Sequence, residues 1–262
     1  WTQVLQGAST VIHLAARVHQ LNDSSADPLQ AFRETNLHST VQLARSAQLA
    51  GVRRFIFVST VKVLGEQTTP GRPFRASDPV QPQDAYATSK HEAEQALITL
   101  TAGSPMELVI VRPPLVYGPG VRANFASLVR AVARGLPLPL GSVHNQRSLV
   151  GIDNLVDLLL LCTHHPQAAG QTLLVSDGQD MSTAELVQQI AAALGRPARL
   201  LPVPTSWLRF AGKLTGREAA IQRLCSSLQV DISATCQQLG WTPPVSVAEG
   251  LRRAVVSPGA AA

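Results

Sequence analysis

The 262-residue sequence is 45 % hydrophobic and 15 % charged, the balance of a chain that buries one large core, or one core with a smaller lobe. Its formal charge of +5 comes from basic residues that read as spread along the chain, which argues against a nucleic-acid binder and for a small phosphorylated ligand. No apolar run reaches the ~18 residues of a membrane span, and no basic-then-apolar leader is visible at the start.

In chain order, V-I-H-L-A-A (Val11 to Ala16) is a short apolar run that fits a buried parallel strand. A polar loop with Asn22, Asp23, Ser24, Ser25 and Pro28 follows. From about Leu29 to Ala50 the pattern is helical, with Gly51 as its C-cap. R-F-I-F-V-S (Arg54 to Ser59) is a second buried strand, and a long loop through Gly65, Pro70, Gly71, Pro73, Pro79 and Pro82 leads to a helix from Tyr86 to about Thr101. Leu108 to Arg112 is the next strand. That alternation predicts a doubly wound parallel sheet with crossover helices, whose ligands lie beyond the carboxyl ends of the strands. His13 to Arg17, Ser59, Thr60 and Pro113 to Gly120 all fall on that rim. Beyond Gly120 the pattern predicts a helix to about Gly135, then P-L-P-L-G, a helix from Asn154 to about Thr163, and a strand from Thr172 to Val175. A helix from Thr183 to Leu194, an L-L-P-V-P piece and further helices to about Val256 complete the chain.

The chemistry concentrates in Y-A-T-S-K, Tyr86 to Lys90. At about 3.6 residues per turn, positions i and i+4 share a helix face. A phenol beside an ammonium can move a proton to or from a carbonyl or alcohol, because the positive charge favours the phenolate. The pairing carries weight because lysine occurs only at 62, 90 and 213 and tyrosine only at 86 and 117. The competing explanation is an ordinary solvated helix face. His13, inside an apolar run, reads as a hydrogen-bonded core histidine, and no histidine or cysteine spacing suggests a metal site. Cys162, Cys225 and Cys236 are scattered and read as incidental thiols of a reducing, cytoplasmic compartment.

Together H-L-A-A, F-V-S-T-V-K-V-L-G, Y-A-T-S-K, R-P-P-L-V-Y-G-P-G and L-G-W resemble, over the whole chain, the extended short-chain dehydrogenase/reductases that act on nucleotide sugars. T-V-K-V-L-G, A-N-F, P-L-P-L-G, R-S-L-V-x-x-D-N-L-V-D and L-Q-V-D-I-S are similar to reductases of UDP-4-keto-6-deoxy-N-acetylhexosamines. The resemblance implies NAD or NADP as cofactor, and makes Tyr86 the acid/base and Lys90 the ligand of the nicotinamide ribose that lowers the tyrosine's pKa. Thr60 would hydrogen-bond the reacting oxygen, unless it only caps a turn. Ala15, Ala16, Arg17, Ser59 and Pro113 would line the cofactor, and Asn36 would tie the core or active-site waters. Asn124, Arg147, Arg223 and Asp231 would hold the nucleotide sugar, with Leu115 standing where many relatives have an asparagine. The family's glycine-rich turn and first three strands have no counterpart ahead of Val11, and a chain starting at Trp1 reads as a fragment whose cofactor affinity is open.

The implied fold is a Rossmann-like domain (1–118 and 148–178) with a smaller substrate lobe (119–147 and 179–262). The implied function is NAD(P)-dependent reduction of a UDP-4-keto-sugar at C4. A UDP-sugar 4-epimerase is the alternative, and a non-catalytic dinucleotide-sensing or scaffold protein, or an inactive fragment, the rival of another class. Dehydration is disfavoured, because Val61 and Lys62 stand where dehydratases place Asp-Glu. A homodimer is an open possibility.

Overall fold

The structure, a computed structural model, describes residues 1–18, 27–69, 71–121 and 123–256, without the side chains of 123, 124 and 256. The expected loop at Asn22 to Ser25, Pro70 and the tail beyond 256 lie outside those residues. Four strands form the main sheet: β1 (Thr10–His13), β2 (Arg54–Val58), β3 (Glu107–Arg112) and β6 (Thr172–Leu174). They pair in the order β1-β2-β3-β6, every pairing parallel. β2 reads R-F-I-F-V because both faces of a central parallel strand are covered, and Phe55, Ile56 and Phe57 are fully buried. β1 ends earlier than its apolar run: its last partner pair is His13 with Phe57, and Leu14 to Ala16 pass beyond the ladder onto the rim.

Between β1 and β2 the expected single helix is three pieces: α1 (Pro28–Arg33), a π-helical turn (Glu34–His38) and α2 (Ser39–Leu49). A π-turn inserts one residue into the helical ladder and re-aims a side chain. Here it surrounds Asn36, which is fully buried. α2 stops where expected, at Gly51, whose φ of 76° suits glycine and whose N–H closes on Gln48. α3 (Ala85–Thr101) crosses from β2 to β3 and begins one residue before Tyr86, at an N-cap in which Asp84 accepts from the Ala87 N–H at 2.7 Å.

A small parallel pair that the sequence pattern does not predict, β4 (Leu115–Tyr117) and β5 (Leu149–Gly151), leads the chain off the main sheet. α4 (Ala123–Ala133) lies between them, and α5 (Ile152–His164) returns to the sheet before β6. After β6 come α6 (Thr183–Ala193), α7 (Thr205–Leu214), α8 (Glu218–Cys225), α9 (Ser233–Leu239) and α10 (Val247–Val256). One core fills each face of the main sheet, with α2 and α3 on one side and α5 and α9 on the other. A third core joins Tyr117, Phe125, Val143, Val187, Ile190 and Leu251 among α4, α6 and α10. It is stitched to the strand ends by Asp177, which accepts from Tyr117 Oη (2.7 Å), the Gly151 N–H (2.8 Å) and Asn154 Nδ2 (2.7 Å). α10 presents Gly250 to this tyrosine, since a Cβ there would stand 2.6 Å from Tyr117 Oη.

Candidate active site

A cavity of about 450 Å³ opens at the carboxyl rim of the sheet. Thr60, Lys62 and Tyr86 line it from the sheet rim, and Arg147 and Arg223 line it beside the third core. Between them the wall is apolar, with Leu115, Phe125, Leu128, Leu149, Met181 and Leu228 among its residues. A cavity that is mostly apolar with a few convergent polar groups is the usual form of a small-ligand site.

At the rim, β2 ends and Thr60 turns the chain into a short 3₁₀ segment, Val61–Val63. Thr60 Oγ1 accepts from the Lys62 N–H at 3.3 Å, so this threonine does cap a turn; the same hydroxyl keeps its proton to donate into the cavity. Ser59 Oγ is buried with no hydrogen-bond partner among the described residues. Lys90 is 1 % exposed, donates to the Val58 carbonyl at 2.7 Å, and holds Nζ 3.9 Å from the centre of the Phe57 ring. Burial pulls its pKa from 10.5 down to about 7. Tyr86 moves the other way: burial, then the negative charge of Asp84, push its phenol to about 12. Burial of both groups and the Asp84 carboxylate thus set a direction for the phenol opposite to the depression by Lys90 that the sequence resemblance implies.

Asn36 does tie the core. Its Oδ1 accepts from the Arg17 N–H at 2.8 Å, and its Nδ2 donates to the Arg17 carbonyl at 3.1 Å and Ser89 Oγ at 3.0 Å. One amide thereby fixes the post-β1 segment against α3, one residue from Lys90. His13 sits in the core, bonded to Thr40 Oγ1 at 2.8 Å, and burial followed by the Lys90 charge lowers its pKa to about 4. Pro113 is buried, and its carbonyl accepts from the Val61 N–H at 3.0 Å. Ala15 and Ala16 are the small residues between β1 and Arg17, whose guanidinium lies 5.6 Å from the centre of the Phe32 ring.

Arg147 is held between two backbone bridges, to Met181 and Leu228. Its Nη1 donates to the carbonyls of Arg223 (2.6 Å) and Ser226 (3.2 Å), and burial lowers its pKa. Leu115 lines the cavity directly, so the wall there is apolar. Asn124 lies on α4, but its side chain is outside the described residues. Asp231 is not among the cavity's residues: it accepts from the Ser233 N–H at 2.9 Å and faces Arg75 at 3.5 Å. Two residues line the cavity that the sequence reading gave no binding role, Lys62 being used there only to argue against dehydration. Lys62 reaches Asp84 (2.5 Å) and Glu66 (2.9 Å), which compensates the carboxylate next to Tyr86. Met181 and the residues after it bring the start of α6 to the cavity; the S-T-A-E capping box was the available signal.

Residues 1–175 match the NAD dependent epimerase/dehydratase family. The chain belongs to this family. It is 51 % identical over 250 residues to a UDP-glucose 4-epimerase of Vibrio cholerae, across 95 % of this chain and 76 % of that one. It is 26 % identical to the N-acetyl-alpha-D-glucosaminyl-diphospho-ditrans,octacis-undecaprenol 4-epimerase of Escherichia coli O157:H7, across 96 % of this chain and 78 % of the other. Among solved structures, UDP-glucuronic acid 4-epimerase from Bacillus cereus, in complex with NAD, superposes with a TM-score of 0.75 at 20 % identity, over 96 % of this chain and 74 % of that one. RMD from Pseudomonas aeruginosa, complexed with NADPH, gives 0.77 at 20 % identity, over 97 % and 82 %. These two likenesses confirm the Rossmann-like fold, and family membership makes the chain an NAD-dependent enzyme of the epimerase/dehydratase type.

The rim holds spare polar groups that a bound dinucleotide could satisfy. Ser59 Oγ is an orphaned buried hydroxyl, and Lys90 has one hydrogen-bond acceptor among the described residues for its three N–H groups.

Proposed function

We propose that this enzyme is a UDP-sugar 4-epimerase. The 51 % identity to a UDP-glucose 4-epimerase along nearly the whole chain carries this reading. It favours the alternative over the reductase put first by the sequence motifs. Reduction of a 4-keto sugar uses the same rim residues, so geometry alone does not separate the two.

The cofactor, when bound, supplies the acceptor and donor of hydride. Ser59 and Lys90 hold its nicotinamide-ribose end, with Ala15, Ala16, Arg17 and Pro113 around it. Tyr86 Oη takes the proton of the sugar C4 hydroxyl and later returns it. Thr60 donates its hydroxyl proton to the same oxygen and fixes where that oxygen lies. Added acceptors at Lys90 Nζ stabilise the ammonium, and an ammonium there draws the phenol down from about 12 toward the working range. Arg147 and Arg223 offer guanidinium donors to the diphosphate, and Asn124 adds an amide from α4. We assign substrate binding to residues 119–147 and 179–262, and dinucleotide binding to 1–118 and 148–178. No described helix is long and apolar enough to cross a membrane; the three free thiols fit a cytoplasmic enzyme.

The test is to supply the protein with NAD and, separately, UDP-glucose and UDP-N-acetylglucosamine, and to follow the sugar by NMR. Conversion of either to its C4 epimer with no net change in reduced cofactor is expected. Stoichiometric oxidation of NADH or NADPH by a UDP-4-keto-6-deoxyhexosamine, with no epimerisation, would replace this reading by the reductase.

A further inference from the structure

The second lobe carries an apolar surface that the reaction does not use. On α7, Trp207, Phe210 and Leu214 are 73 %, 65 % and 73 % exposed. Their spacing of three and four residues puts all three on one helix face. The opposite side of α7 is satisfied: Leu208 and Gly212 are buried, and Gly212 lets Ile221 of α8 approach so closely that a Cβ would meet it at 3.0 Å. Exposing large apolar side chains in a row is unfavourable unless something covers them.

Charge says what covers them. From Gly195 through Arg217 the chain has five basic residues (Arg196, Arg199, Arg209, Lys213 and Arg217) and no acidic one, so this segment alone matches the whole chain's net charge of +5. All five are exposed, and the nearest acid, Glu218, faces Lys213 at 3.9 Å. Leu201, also exposed, precedes the helix on the same segment. An apolar stripe of Trp, Phe and Leu edged by Arg and Lys, on a helix too short to span a bilayer, has the form of an interfacial helix. A second copy is the poorer occupant, since a two-fold contact on this face would set Arg209 and Lys213 against their own equivalents with one acid, Glu218, in 195–225 to answer them.

We infer that α7 docks this protein onto a membrane surface of anionic phospholipid, with Trp207, Phe210 and Leu214 in the interface and the surrounding arginines and lysine on the headgroups. α8, packed behind α7, contributes Arg223 and Leu224 to the cavity, so a docked bilayer would lie over the outer side of the hairpin that walls the site. The inference is independent of which sugar reaction the cavity performs.

Sedimentation of the whole chain with vesicles tests it, using phosphatidylcholine alone and phosphatidylcholine mixed with phosphatidylglycerol. The expected result is several-fold more protein bound to the anionic vesicles, weakened by added salt, with a blue shift in tryptophan fluorescence that W207A removes. Both W207S/F210S/L214S and R209E/K213E change exposed residues only, and each should lose most of that binding while keeping the circular dichroism of the parent. Equal recovery with both vesicle types, or variants that bind anionic vesicles as the parent does, would overturn the proposal. So would a parent that binds no vesicle but elutes as a dimer that the triple variant converts to a monomer.

Discussion

The two ends of the cavity are built differently. At the sheet rim three polar side chains are held by hydrogen bonds to the fold: Lys90 to the Val58 carbonyl, Thr60 to the Lys62 N–H, and Asn36 to Arg17 and Ser89. The far wall is a mostly apolar surface into which two half-buried arginines project. Rigid strand ends and a capped helix suit proton transfer, where small misplacements are costly. Helices packed on one another suit recognition, where side chains can change without disturbing the chemistry. The rim should therefore respond to mutation in kcat and the far wall in KM.

Tyr86→Phe gives the sharpest version of that contrast. It keeps the ring against Phe32 and removes the exchangeable proton, so kcat should fall by the roughly 10²–10⁴-fold typical of general acid–base catalysis. Steady-state kinetics and a cofactor-binding titration check it, with folding and cofactor affinity expected to hold. Arg147→Ala at the other end should instead raise KM for the nucleotide sugar roughly 10–100-fold, the worth of charge-assisted hydrogen bonds to phosphate, with kcat little changed. A loss confined to kcat would break the division. Thr60→Val is smaller: about tenfold in kcat, one hydrogen bond made to the reacting oxygen, at unchanged KM.

The mildest effect is on stability. Lys90 titrates near 7 in the folded chain and near 10.5 when unfolded, so between those values the unfolded chain binds more protons. Stability of the cofactor-free protein should then rise with pH from about 7 toward 8, below the range where the cysteines, whose thiols the fold holds protonated, begin to titrate in the unfolded chain. Lys90→Met should flatten that slope in thermal melts recorded across the window.

Much of this was legible in the sequence. The strands at 54–58 and 107–112 announced themselves because central parallel strands are apolar on both faces, and Tyr86 with Lys90 stood out because both residue types are scarce here. The π-turn around Asn36 was hidden, since one inserted residue leaves helical composition intact. The β4–β5 pair was hidden too: strands of three residues carry no readable period. Asp231 went astray for another reason. An aspartate two residues ahead of a serine can serve a ligand or a turn, and here it binds the Ser233 N–H. Reading the basic residues as evenly spread also passed over the run from 196 to 217, because its meaning lies in the acids it lacks.

The central claim is that one rim serves both halves of the reaction: hydride leaves C4 and a proton leaves its hydroxyl oxygen, then hydride returns to the same carbon and the proton to the same oxygen. Turnover of UDP-glucose deuterated at C4, with NAD supplied, tests it directly. The account predicts UDP-galactose that retains deuterium at C4, with no reduced cofactor accumulating. Loss of the label to solvent, or release of a 4-keto sugar matched by reduced cofactor, would contradict it.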